Sequence, residues 1–386
     1  MRKIAVLGST GSIGKQTLDV IRRTGGFRVT ALAAGASVSA LEAQVREFQP
    51  ELVCLYDREA ADILRGRLAD LPGVRVVSGP EGLREAAAGT EADLVSVSVL
   101  GMIGIGPTLA AIEAGRDIAL ANKETLVTAG HLIVPLARRK GVRLLPVDSE
   151  HGALLQCLAG EKRPQVRRLL LTASGGPFRG MTLEQMRGIT PADALRHPNW
   201  DMGAKITIDS STLVNKGLEV MEAHWLYDMP YDRIDVVVHP QSIVHSLVEF
   251  IDGSVKAQLA VPDMRLPIEY ALYWPRRREA VADRLDLTGM SALTFEEPDT
   301  VNFPGLALAY EAGRAGGTLP TVYNAANEWA VREFLAGRLG YTEIVPQLEA
   351  AMEAHRTQPD PSLEAILETE AWTVRFLEER RQTGRP

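Results

Sequence analysis

Cysteine is nearly missing from this chain, with Cys54 and Cys157 the only two in 386 residues. Two thiols far apart exclude a disulfide-stapled scaffold and a cysteine-based zinc site, and they read as buried thiols in a reducing compartment. No apolar run approaches the roughly 20 residues that cross a bilayer, which argues against a membrane helix. The chain opens straight into a strand-like run, so neither a signal nor a transit peptide is expected, and a cytoplasmic location follows. An excess of positive charge is lacking too: 42 Lys and Arg face 49 Asp and Glu, a net charge of −7. Binding a phosphate backbone needs an exposed basic surface, so no nucleic-acid partner is expected. Short basic clusters such as Arg276-Arg277-Arg278 read as solvated. Internal repeats and low-complexity segments are absent as well. What is present is ordinary for a globular chain, 46% hydrophobic and 24% charged, and long enough for two or three domains.

Short apolar runs at 3–7, 28–34, 50–56, 74–77, 93–99, 117–121 and 142–147 alternate with Ala-, Leu- and Glu-rich helical stretches. That alternation predicts a parallel, doubly wound sheet, whose ligands bind beyond the carboxyl ends of its strands. Further strands are expected at 166–172, 234–238, 243–250 and 254–259, the last three closely spaced enough to suggest a partly antiparallel sheet. Residues 274–300, with Pro275 and Pro298, read as a linker across the surface, and from 303 the periodicity is helical. The fold class is therefore α/β: a Rossmann-like domain over 1–148, a central α+β domain over 149–273, a linker over 274–300 and a helical bundle over 301–386.

The first strand runs directly into Gly8-Ser9-Thr10-Gly11-Ser12-Ile13-Gly14, after which 15–23 take helical character. Glycines let the backbone approach a pyrophosphate, and free amides with the helix dipole behind them favour its charge. The spacing Gly-x-x-Gly-x-x-Gly is less common than Gly-x-Gly-x-x-Gly, and a plain turn is the competing reading. At the end of the second strand, where an adenine ribose would lie, stands Gly35-Ala36-Ser37. The absence of an acid there leans toward NADP, with Ser37 a partner for the 2′-phosphate, although no cation is local.

Asp148 and Glu150 end a strand, where residues two apart point the same way if the extended geometry persists. Glu219 lies on an amphipathic stretch that an N-cap at Asp209 or Ser210 would start. Three carboxylates without histidine or cysteine make an oxygen-only set suited to Mg²⁺ or Mn²⁺. Against this stands a bland reading in which Asp148 caps a helix and Glu219 is an exposed carboxylate. Ser174-Gly175-Gly176 offers a hydroxyl and flexible amides, and Ser210, Asn215 and Lys216 add donors and one positive charge, a set suited to a phosphomonoester. A turn and an N-cap are the alternatives. Trp200 and Met202, in the loop His197-Pro198-Asn199-Trp200-Asp201-Met202-Gly203, suggest a lid with an apolar tip, or else a permanent packing contact. Among the other histidines, His239 and His245 read as structural, and His131 and His355 as surface residues on helices.

The segments Gly8 to Gly14, Ala121-Asn122-Lys123-Glu124, Leu145 to His151, Thr172 to Phe178, His197 to Trp200, Asn215 to Glu219, His239-Pro240-Gln241-Ser242 and Asn324 to Glu328 closely resemble those of the 1-deoxy-D-xylulose 5-phosphate reductoisomerases. The resemblance covers essentially the whole chain, with the motifs in the family's order. It implies an NADPH- and divalent-metal-dependent homodimer that rearranges and reduces 1-deoxy-D-xylulose 5-phosphate, with Co²⁺ a further candidate metal. By it, Thr10, Gly11, Ser12, Ile13, Asn122, Glu124 and Gly203 would contact NADPH, alongside Gly35 and Ser37 from the turn after the second strand. Asp148, Glu150 and Glu219 would bind the metal. Lys123, Ser149, Glu150, Ser174, His197, Ser210, Asn215, Lys216 and Glu219 would bind the sugar phosphate, with Lys123 joining the three carboxylates as catalytic residues. Trp200 and Met202 would belong to the closing loop. The sequence departs from the family where a basic residue and an asparagine often follow the glycine matching Gly35: here Ala36 and Ser37 stand, so the preference for NADPH over NADH is left to measurement. A metal-independent dehydrogenase and a nucleotide-sensing protein without turnover are the competing functions.

Overall fold

The structure, a computed structural model, describes residues 1–196, 200, 202–290 and 292–383. The chain divides into two compact units, each discontinuous in sequence: 1–125 with 132–152 and 263–284, and 126–131 with 153–262 and 285–386.

The first unit is built on strands β1 (Arg2–Leu7), β2 (Phe27–Ala34), β3 (Leu52–Leu55), β4 (Arg75–Ser78), β5 (Leu94–Val97), β6 (Asp117–Leu120) and β7 (Leu144–Pro146), in the spatial order β4-β3-β2-β1-β5-β6-β7. All pairings are parallel, as the alternation predicts. Ile4 to Leu7 and Leu94, Val95 and Val97 are fully buried, because helices cover both faces of such a sheet and leave no polar side. The strand order reverses between β1 and β5, so the crevice at their carboxyl ends is the expected ligand site.

The sequence pattern leaves 263–273 with the central domain and 274–284 in the linker, yet packing groups 263–284 with this unit. The helix Arg265–Tyr273 supplies the reason. Arg2 Nη1 donates to Leu272 O at 2.7 Å, Tyr273 Oη lies 2.6 Å from Thr24 Oγ1, and the Tyr273 ring meets Phe27 edge-on at 5.3 Å. The adjoining basic cluster is not merely solvated: Arg277 lies over Tyr270 at 4.8 Å and Arg278 over Tyr273 at 4.9 Å, where ring faces attract the guanidinium.

The second unit has strands β8 (Val166–Ala173), β9 (Ile234–Val238), β10 (Val244–Phe250) and β11 (Val255–Leu259), ordered β11-β10-β8-β9. Only β8 and β9 are parallel. The helix Val214–Tyr227 packs on β8 and β9, and the helices Gly305–Ala315, Leu319–Leu335, Ile344–Ala354 and Leu363–Gln382 share one hydrophobic core with the sheet. Phe178 against Tyr341 at 5.0 Å, and Tyr341 against Phe334 at 5.8 Å, carry that core from the loop after β8 into the bundle. The later part of the expected linker is not loose either. Glu296 exchanges backbone hydrogen bonds of 2.8 and 2.9 Å with Val238, and Phe295 stacks on His239 at 4.8 Å.

Glu333, 3% exposed, ties the last helix into the bundle. Arg338 grips both its oxygens, at 2.6 and 2.9 Å, and Arg381 of the helix Leu363–Gln382 adds a further ion pair. Chiefly through Arg338, its carboxyl is held down at about 2 against an ordinary 4.5. A folded-state value below the unfolded one means that the ionised form stabilises: the contribution is complete above about pH 4.5 and is lost as pH falls toward about 2. Glu333→Gln is expected to cost on the order of 1–2 kcal/mol at neutral pH, the half-exposed arginines limiting the effect. Urea unfolding across pH 7 to 3 checks it, and a variant that keeps the wild-type stability and acid sensitivity would refute the assignment.

Candidate active site

The turn after β1 is fixed by close packing. A Cβ on Gly8, whose φ is +84°, would stand 2.3 Å from Ser98 O, and one on Gly14 would stand 2.2 Å from Gly8 O. The helix begins at Ser12, three residues before the apolar periodicity, because Gly11 occupies the N-cap position without a capping side chain. The amides of Ser12, Ile13 and Gly14 therefore have no partner among the described residues. Orphan donors of this kind, at a helix N-terminus, can bind an anion such as a pyrophosphate. Gln44, which the sequence reading missed, braces the loop: its side chain accepts from Ser9 Oγ at 2.7 Å and donates to Ser9 O at 2.8 Å.

Gly35, Ala36 and Ser37 are exposed beyond β2. Ser37 sits at the N-cap of the helix Val38–Phe48 with its hydroxyl not used for capping. Asn122 caps the helix Lys123–Lys140, accepting from the Thr125 amide at 3.1 Å. Its amide group donates to Val99 O, Gly101 O and Glu124 Oε2 at 2.9, 3.0 and 2.8 Å. Asn122 thus clamps together the loops after β5 and β6.

The extended geometry expected across Asp148 and Glu150 does not persist. β7 ends at Pro146 and a helix, Ser149–Cys157, starts immediately. Asp148 stands at its N-terminus, with the Gly152 amide donating to Asp148 O at 2.7 Å and the Ser149 amide to the Asp148 carboxylate at 3.1 Å. Glu150 falls in the first turn, where the dipole favours an anion. Capping and proximity coexist: carboxylate oxygens of Asp148 and Glu150 lie within 4.8 Å of one another. Lys123 Nζ pairs with Asp148 at 2.5 Å, and His151 Nδ1 lies 3.6 Å away. Burial pushes the Asp148 carboxyl up, but Lys123 and then His151 outweigh it and hold the group far below the usual carboxylate range. Ser149 Oγ donates to Glu150 at 2.5 Å. The fully buried His151 was given no role by sequence reasoning; its helical spacing from Asp148 is the signal that could have found it.

In the second unit, β8 ends in Ser174-Gly175-Gly176, and both glycines are left-handed, with φ of +84° and +70°. The Gly176 amide donates to Ser174 Oγ at 3.2 Å. A Cβ on Gly176 would stand 2.9 Å from Ser210 O and from Ser211 Cα. Glycine there lets the Ser174 turn lie against the backbone that carries Ser210. Ser210 is not an N-cap, since it belongs to the last turn of the helix Ala204–Ser211. The chain then reverses through Leu213, φ +60°, and a second helix, Val214–Tyr227, begins. Asn215 and Lys216 occupy its first turn, so an ammonium reinforces the positive end of the helix. Glu219 is 1% exposed rather than a surface carboxylate. Asn215 Nδ2 donates to one oxygen at 2.5 Å and Lys216 to the other. These contacts follow from spacings of four and three residues on one helix.

Supports behind this set were also missed. Asp209 is buried between Lys205 at 2.8 Å and Asn327 at 2.8 Å, and Tyr341 Oη donates to Ser211 O at 2.8 Å. Asn327 belongs to the motif that ends at Glu328, on the helix Leu319–Leu335. At Gly217 a Cβ would come 2.4 Å from Ala309 Cβ, so glycine sets the approach of two helices.

His197, Pro198, Asn199 and Asp201 lie outside the described residues. Trp200 and Met202 are half-buried, the Trp200 ring 6.0 Å from that of His245, and Gly203 is the exposed N-cap of the helix Ala204–Ser211. His239 is structural as expected, bonded to Thr294 O at 2.8 Å and accepting from the Ile243 amide at 3.2 Å. His131 and His355 are not simple surface residues. Both are half-buried, His131 bonded to Pro361 O at 2.8 Å and His355 to Thr318 Oγ1 at 2.7 Å. Burial pushes the thiols of Cys54 and Cys157 up to about 12 and about 11, which keeps them unreactive. Among the described residues no helix is long and apolar enough to cross a membrane.

Comparison with known proteins places these motifs in a family. Residues 4–130 match the family model of 1-deoxy-D-xylulose 5-phosphate reductoisomerase, 144–227 its C-terminal domain model, and 259–376 the DXP reductoisomerase C-terminal domain model. The 1-deoxy-D-xylulose 5-phosphate reductoisomerase of Lachnoclostridium phytofermentans is 55% identical over 98% of this chain and 97% of its own. That of Heliobacterium modesticaldum is 55% identical over 100% and 99%. A DOX-P reductoisomerase crystallised with NADPH, fosmidomycin and magnesium superimposes with a TM-score of 0.94 at 38% identity, covering 99% of this chain and 98% of that one. The Zymomonas mobilis enzyme in complex with NADPH gives 0.92 at 41% identity, covering 98% and 99%.

Proposed function

The chain belongs to the 1-deoxy-D-xylulose 5-phosphate reductoisomerase family, and on that premise we propose that its Asp148, Glu150 and Glu219 hold one divalent metal ion while Ser174, Ser210, Asn215 and Lys216 hold the substrate phosphate. The enzyme converts 1-deoxy-D-xylulose 5-phosphate to 2-C-methyl-D-erythritol 4-phosphate with NADPH and a divalent metal. When bound, the ion supplies Lewis-acid polarisation of the ketone and its neighbouring hydroxyl, and NADPH supplies the hydride for the rearranged aldehyde.

One observation carries the assignment of residues. Asp148 and Glu219 are both withdrawn from bulk water, and each is paired with a lysine, Lys123 or Lys216. A buried carboxylate stays ionised only when a cation or donors hold it. With Glu150 they offer oxygen donors only, the kind that suits Mg²⁺ or Mn²⁺. Lys123 and Ser149 stand beside Asp148 and Glu150, so they can hold the hydroxyls of the sugar in the orientation that carbon–carbon cleavage and re-addition require. Ser210 and Ser174 hold hydroxyls on two backbones that pack directly together, and Lys216 contributes charge at a helix N-terminus. That combination suits a dianionic phosphate. The free amides of Ser12 and Ile13 would take the NADPH pyrophosphate, and Thr10, Gly11, Gly35, Ser37, Asn122, Glu124 and Gly203 complete the proposed cofactor contacts. For Asn122, its clamping bonds support an indirect share, through the loops it fixes. His197 joins the sugar contacts by family resemblance. Trp200 and Met202 form an apolar tip over the substrate that keeps the cleaved fragments away from water. The homodimer and the cytoplasmic setting belong to the same reading.

The test is the loss of NADPH absorbance on adding 1-deoxy-D-xylulose 5-phosphate with Mn²⁺ or Mg²⁺, repeated with chelator. Oxidation that needs the metal is the expected result. Equal oxidation in the presence of chelator would remove the three carboxylates from their role and favour a metal-independent dehydrogenase.

A further inference from the structure

The turn after β2 lacks a positive charge, although the phosphate that distinguishes NADPH from NADH carries two negative ones. We propose that Arg58, at the start of the helix Arg58–Arg67 that follows β3, supplies the missing cation and is the residue by which this chain selects NADPH. The inference rests on the cofactor reading above.

Three observations carry it. The turns after β2 and β3 are laced together: the Tyr56 amide donates to Ala34 O at 2.9 Å and the Asp57 amide to Gly35 O at 3.0 Å. Arg58 thus starts one residue beyond a direct bond to Gly35, beside the exposed Ala36 and Ser37. Second, its guanidinium is uncommitted. Every other arginine from Arg22 to Arg84, namely 22, 23, 28, 46, 65, 67, 75 and 84, stands in an ion pair with an aspartate or glutamate. Arg58, exposed, has neither an ion pair nor a hydrogen bond among the described residues. Its neighbour Asp57 is committed elsewhere, accepting from the Ala60 amide at 2.8 Å as the helix cap. The Arg58 side chain leans toward Gly79, its Nε 3.8 Å from where a Cβ there would stand. Turning it toward Ser37 breaks no bond. Third, its position is locally unfavourable. A cation in the first turn opposes the helix dipole, and a residue that breaks a local rule without a compensating partner marks a functional position.

The chemistry matches the need. A guanidinium offers a fork of N–H donors to phosphate oxygens, and the Ser37 hydroxyl, not used for capping, adds one more. Arg58 acts at the adenosine end and takes no part in metal binding or hydride transfer.

The experiment is direct binding, read by the enhancement of NADPH and NADH fluorescence, with adenosine 2′,5′-bisphosphate as competitor, on the full chain and its Arg58→Gln and Arg58→Lys variants. Arg58→Gln is expected to weaken NADPH and the bisphosphate roughly ten- to a hundredfold, the loss of a charge-assisted contact, and to leave NADH within about twofold. Arg58→Lys should recover part of the loss, and NADPH binding to the wild type should fall more steeply with salt than binding to the glutamine variant. Because Arg58 is exposed, the thermal midpoint should not move. Unchanged NADPH affinity in Arg58→Gln, or equal weakening of NADPH and NADH, would overturn the proposal. A wild-type chain that binds neither dinucleotide would instead overturn the cofactor reading beneath it, a result distinct from any effect of the variant.

Discussion

Glu219→Gln is expected to lower turnover by about a hundredfold or more at millimolar Mg²⁺, with the fold intact. The substitution is nearly isosteric, and the amide oxygen can still accept from Asn215 or Lys216, which bond the carboxylate in the structure. What disappears is the negative charge. A hard divalent ion depends on anionic oxygens, so its activation constant should rise, and part of the activity should return at high Mn²⁺. Steady-state rates over a metal titration, with circular dichroism and a thermal melt as controls, separate metal loss from unfolding. Near-wild-type turnover at low metal would sink the assignment of Glu219.

Lys216→Ala is the second large effect, and it should divide differently between the kinetic constants. We expect the Michaelis constant for 1-deoxy-D-xylulose 5-phosphate to rise roughly ten- to a hundredfold, the scale of one lost charge-assisted contact to phosphate. The Michaelis constant for NADPH should stay within about threefold. Lys216 is 4% exposed and pairs with Glu219, so alanine also leaves that carboxylate with Asn215 as its remaining named partner. Lys216→Arg restores the charge and separates the two consequences: recovered substrate affinity with a weakened metal response would divide them. If Lys216→Ala changed only the cofactor constant, the phosphate site would be misplaced.

Much of this was legible before any coordinates. The parallel sheet followed from short apolar strands of three to eight residues between helices, because a strand covered on both faces must be apolar throughout. The glycine turn was legible because its strand-turn-helix context is local. Asn215, Lys216 and Glu219 were legible as a group because helical spacing alone puts them on one face.

Other features depended on contacts that no local pattern encodes. Strand alternation could not say that only Val147 and Asp148 separate the end of β7 from the helix Ser149–Cys157, so Asp148 and Glu150 approach each other across a helix start rather than by pleat. Nothing in the window around Ser210 signalled that it closes a helix rather than opening one, or that Gly176 exists to let the Ser174 turn rest against it. The return of the helix Arg265–Tyr273 to the first sheet rests on Arg2, Thr24 and Phe27, about 250 to 270 residues upstream. Burial of Glu219 and Asp209 likewise depends on which helices cover them. The sequence by itself determined most element types, the glycine turn after β1 and the chemical character of the proposed site, because periodicity, turn chemistry and motif spacing act over a few residues. The tertiary structure alone decided which charges are buried, which lysine holds which carboxylate and which arginine is left without a partner, because desolvation and ion pairing depend on groups that the chain brings together from far apart.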